Sequence, residues 1–86
     1  MKFRVEQIFL TDQEGRVVEA GKEIDFHIVD ADDPRSAILQ FLAQDEAALM
    51  GEVLKFPGMQ AVATARRGNL VYTLQLIPAT DRIELR

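Results

Sequence analysis

Residues 61–76, AVATARRGNLVYTLQL, pair with themselves in one preferred register. With Gly68-Asn69 as a two-residue turn, Ala61, Ala63 and Ala65 stand opposite Leu76, Leu74 and Tyr72, while Val62, Thr64 and Arg66 stand opposite Gln75, Thr73 and Val71. Small side chains meet large ones on one side, and Thr64 meets Thr73 on the other. A slip by one residue would mix these two sets, so the pattern specifies a β-hairpin and its faces together. It sends Tyr72 toward the core and places Arg66 and Arg67 at the tip.

The first third of the chain adds two further strands. In KFRVEQIFL, Phe3, Val5, Gln7 and Phe9 share one side, and Lys2, Arg4 and Glu6 the other. TDQEGR supplies turn residues, GRVVE a short extended piece, and AGK a break. EIDFHIV alternates again. Its bulky set, Ile24, Phe26 and Ile28, is expected in the core, with Asp25, His27 and Val29 on the opposite face.

Between these strands and the hairpin, residues 34–55 have helical composition, rich in Ala, Leu, Gln, Glu and Met. Ile38, Leu42, Leu49 and Val53 fall on one helical stripe, interrupted by Asp45 and Glu46. A continuous helix of that length would run about 33 Å, longer than the roughly 25 Å of the neighbouring strands. A kink or break near Gln44-Asp45 is therefore expected, with Asp45 capping a second short helix and FPG at 56–58 ending the region. The expected architecture is α+β: an antiparallel sheet of about four strands, in the order ββ-α-ββ, packed on one kinked or broken helical segment.

Eighty-six residues bury a single modest core, so residues 1–86 are expected to form one domain. No run approaches the roughly 20 apolar residues that span a bilayer, and MKFRVEQIF has no apolar leader region, which points to a cytoplasmic chain without membrane association. The sequence contains no cysteine, which removes disulfides, thiolate zinc sites and cysteine nucleophiles. The net charge of −4 is distributed unevenly. Residues 12–33 carry eight acids against Arg16 and Lys22, whereas residues 59–86 carry four arginines against Asp81 and Glu84. An acidic chain with one small basic hairpin is poorly suited to general phosphate binding.

Three groups of residues are candidates for function. The first is DADDP, where Asp30, Asp32 and Asp33, with Asp25 or His27 nearby, offer hard oxygen ligands to a divalent cation. A calcium loop starting at Asp30 needs Gly at its sixth position and an acid at its twelfth, and this chain has Arg35 and Phe41 there. The sequence is better explained by helix capping, with Asp33 as N-cap and Pro34 at the first helical position. The second group is Arg66 and Arg67 at the hairpin tip, which could touch RNA phosphates. The third is a surplus of large apolar residues beyond those one helical stripe needs: Leu39, Met50, Leu54, Phe56 and Met59. These suggest a patch for a protein partner.

His27 has no visible nucleophile to serve, the single serine lies at Ser36 in the expected first helical turn, and no GxGxxG or GKS/GKT sequence occurs. The expected function is a small non-enzymatic binding or assembly module acting on protein and needing no cofactor. Two alternatives are an RNA- or ribosome-associated module using Arg66 and Arg67, and a metal- or anion-regulated domain using the Asp30 to Asp33 cluster. An open sheet has two edges to protect, so a homodimer through an edge strand or through the C-terminal half of the helical region competes with a monomer.

Overall fold

A computed structural model describes residues 1–18 and 24–79. The elements are β1 (Lys2–Phe9), β2 (Ile24–Asp30), α1 (Pro34–Asp45), β3 (Ala48–Phe56), β4 (Gln60–Arg67) and β5 (Leu70–Pro78). The strands form one antiparallel sheet in the order β2-β1-β5-β4-β3. α1 leads from one edge strand to the other and touches all five strands as it crosses a single face. The class is α+β as the sequence implies, with five strands where about four were expected.

Apolar spacing and end signals fix the helix. Ala37, Ile38, Phe41 and Leu42 recur on one side and are buried. Asp33 is the N-cap, its Oδ1 accepting the Ser36 backbone N–H at 2.7 Å, and Pro34 follows where its missing N–H costs nothing. At the other end Glu46 adopts a left-handed conformation at φ 55°, and the Ala47 N–H reaches Leu42 O at 3.0 Å. The buried helical side chains meet Phe3 and Val5 of β1, the alanines of β4, and Tyr72, Leu74 and Leu76 of β5. Small residues on β4 leave room for the helix beside the large residues of β5. The β4–β5 register matches the sequence reading at every pair from Ala61↔Leu76 to Arg66↔Val71.

Residues 48–56 are a strand, not a second piece of helix. The apolar residues in this region mislead because their spacing of four fits both periods: Leu49 and Val53 share a face, as do Met50 and Leu54, in a helix or in a strand. Gly51 decides between them. It stands at φ +79°, a left-handed conformation that a helix does not contain. Here β3 has a bulge, with four steps from Met50 to Leu54 opposing two from Thr64 to Val62. Asp45 therefore ends α1 and caps no second helix.

β2 presents the face opposite to the one expected. Its register pairs Val29 with Phe3 and His27 with Val5, and Phe3 and Val5 are fully buried. Partners directly opposite in a ladder point to the same side. Val29 is therefore buried, His27 sets its ring 5.0 Å from that of Phe41 at a tilt of 50°, and Phe26 and Ile28 point away from the helix. The TDQEGR segment forms the expected turn, and Val17 makes an isolated bridge to Thr11. The expected AGK break at 20–22, and the segment IELR at 83–86, lie outside the described residues.

Candidate functional site

Strand alternation sends every second side chain of the sheet away from α1. The registers line up one transverse row on this open face as Phe26, Glu6, Gln75, Val62 and Leu54, from β2 through β1, β5 and β4 to β3. An adjacent row begins Ile28, Arg4, Ile77 and ends on Gln60 and Phe56. Large apolar residues occupy both ends of these rows, and the middle mixes polar side chains with Val62 and Ile77. Phe26 is 55% exposed, Ile28 47%, Leu54 57% and Phe56 48%. Exposed apolar residues are ordinary when scattered singly, but here they converge on one surface, with Met50 and Ile77 beside them.

The polar groups of the face are held in place by their neighbours. Arg4 lies 4.1 Å over the Phe26 ring, and its Nε donates to Glu6 Oε2 at 3.1 Å. Thr64 and Thr73 stand opposite each other across β4 and β5. Between Phe56, Gln60, Val62, Gln75 and Ile77 there is a hollow of about 310 Å³. Lys2, Arg4 and Arg66 are offset on this side by Glu6 and Asp30, so the face is close to neutral although the chain carries −4.

Three of the five residues expected in a partner patch meet here. Met50, Leu54 and Phe56 share the open face of β3, an edge strand. Leu39 does not join them, because it sits on α1 across the sheet. Met59 lies in the turn after β3 at φ 61°. The sequence reading missed Phe26, Ile28 and Ile77. The signal that could have exposed the first two was the competition within β2: Phe3 and Val5 demand partners on their own face, and one set of alternating β2 residues has to be left outside.

The remaining candidates separate. Arg67 Nη1 donates to Asp45 Oδ1, while Arg66 Nε donates to the Gly68 carbonyl at 2.8 Å. Asp33 is engaged in capping, and its carboxyl lies below the usual range chiefly because the Ser36 N–H favours the charged form. Asp30 Oδ1 accepts the Met1 amine. Among the described residues no three His, Cys, Asp or Glu side chains gather as metal ligands.

A polar cluster unforeseen from sequence closes the core near the hairpin tip. Asp45 Oδ2 accepts from the Tyr72 hydroxyl and from Gln7 Nε2 at 3.2 Å, and its other oxygen takes Arg67. Gln7 is 3% exposed. Burial, then the Asp45 carboxylate, raises the Tyr72 phenol well above its ordinary pKa, so Tyr72 remains a donor. With the described buried side chains all hydrogen-bonded, this cluster is a closed anchor for the end of the helix.

No described helix is long and apolar enough to cross a membrane. Comparisons with protein-family models, with curated proteins and with solved structures returned no significant match to this chain.

Proposed function

We propose that this chain is a non-enzymatic binding and assembly module that engages protein through the open face of its sheet. The observation that carries this reading is the convergence of Phe26, Ile28, Leu54, Phe56 and Ile77 on the side that α1 leaves uncovered. A surface of apolar anchors around hydrogen-bonding side chains such as Gln75 and Thr73 has the composition of a protein interface. The hollow beside Phe56 offers a place for a partner side chain to insert. The basic hairpin tip gives weaker footing to a nucleic-acid reading, because Asp45 already engages Arg67.

Site-specific photocrosslinking tests the reading. A benzophenone side chain replacing Leu54 or Ile77 is expected to form adducts with polypeptide, whereas the same group replacing Leu39 is not. Adducts from Leu39 alone, or adducts with RNA that disappear as salt rises, would defeat it.

A further inference from the structure

We infer that the occupant of the open face is a second copy of this chain, packed sheet against sheet about a two-fold axis running along β5. This rests on the face being the binding surface, and it adds the identity of the partner. Three observations favour self-association by this route.

The first is the state of the sheet edges. Edge-to-edge pairing needs a flat strand with a regular row of free backbone groups. β3 is interrupted by its bulge at Gly51 and carries Glu52 and Lys55, while β2 carries Asp25, His27 and Asp30. Both edges have the features that discourage strand addition, whereas the face exposes Phe26, Ile28, Leu54 and Phe56 at the ends of its rows.

The second is area. Five strands about 4.8 Å apart and about eight residues long, at roughly 3.3 Å per residue, present a face near 24 by 26 Å, or about 600 Å² viewed flat. Side-chain relief brings the accessible area toward the roughly 800 Å² per partner of a standard specific interface.

The third is complementarity. β5 is the middle strand, so a two-fold axis along it lays β2 of one copy over β3 of the other. Phe26 and Ile28 then lie over Leu54 and Phe56, beside the hollow, with aligned sheets about 10 Å apart. Apolar row ends meet apolar row ends at both sides. Gln75, on the middle strand, comes near its own symmetry mate, and the near-neutral charge of the face does not oppose the contact.

Sedimentation equilibrium of the full chain, from about 1 to 100 μM, spans the affinities of weak and stable dimers. The expected species is twice the 9.7 kDa chain. Gln75→Lys puts an ammonium beside Glu6 of its own strand pair, which the fold accepts, but opposes it to its copy across the axis. It is expected to weaken association at least tenfold with an unchanged circular dichroism spectrum, and Leu39→Glu is expected to have no effect. A 9.7 kDa species throughout overturns the proposal. If Leu54 and Ile77 still crosslink to a different protein, the face remains the binding surface and only the identity of the partner fails. A monomer that dimerises only after truncation behind Ala79 also overturns it, since residues 80–86 would then be the occupant. A dimer indifferent to Gln75→Lys is held elsewhere and overturns the proposal, while crosslinking from Leu54 and Ile77 still decides the face reading separately.

Discussion

Asp33 and Asp45 lie at opposite ends of one helix and make opposite kinds of contribution. The Asp33 carboxyl is held below its ordinary pKa by the Ser36 N–H, so its stabilisation is present above the unfolded value of about 3.9 and is lost as pH falls through the lower folded value. Asp33→Ala is expected to lower the melting temperature at neutral pH, with the difference from wild type closing in strong acid. Asp33→Asn keeps a capping oxygen and is expected to recover part of the loss without that pH dependence. Asp45 works through the donors that depend on it. Tyr72→Phe removes one hydrogen bond and is expected to cost about 1–2 kcal/mol, whereas Asp45→Ala strands the Tyr72 hydroxyl and the Gln7 amide and is expected to cost about 2–3 kcal/mol. Urea denaturation of the two variants measures the asymmetry. Equal costs would mean that water or a rearranged side chain takes the place of the carboxylate.

Two left-handed residues, one at the end of α1 and one at the bulge of β3, are expected to respond oppositely to substitution. Glu46 holds φ 55° with a side chain, so Glu46→Gly is expected to stabilise by up to about 1 kcal/mol. Gly51→Ala forces a side chain into φ +79° at the bulge and is expected to destabilise by about 1–2 kcal/mol. Differential scanning calorimetry of both variants checks the signs. Gly51 also shows what the sequence concealed. The hairpin of β4 and β5 was legible because its alternation, its turn and its cross-strand sizes all indicate one register. β3 was not, since apolar residues four apart satisfy a helix and a strand alike, and its helix-forming composition favoured the wrong one. In β2 the alternation was clear but its direction was not. Both of its faces carry apolar groups, and only pairing with Phe3 and Val5 settles which is buried. The Asp45 cluster joins Gln7, Arg67 and Tyr72 through hydrogen bonds that each span 22 to 38 residues, a convergence that no local pattern announces.

A sheet with a helix on one side and an open face on the other leaves that face for a partner on the proposed reading, and a second copy packed there would make a four-layer arrangement with the helices outside. Replacing Phe26 and Leu54 together by threonine keeps strand propensity and removes apolar area, so the variant is expected to fold normally and to lose association in sedimentation. Unfolding of this variant would assign those side chains to the monomer core. Methyl NMR of the full chain on serial dilution gives the clearest reading of which surface makes contact. The Ile28, Leu54 and Ile77 methyl signals are expected to move with concentration while those of Leu39 stay fixed. Movement at Leu39, with Ile28, Leu54 and Ile77 constant, would place the contact on the helix and contradict the open face as the surface of assembly.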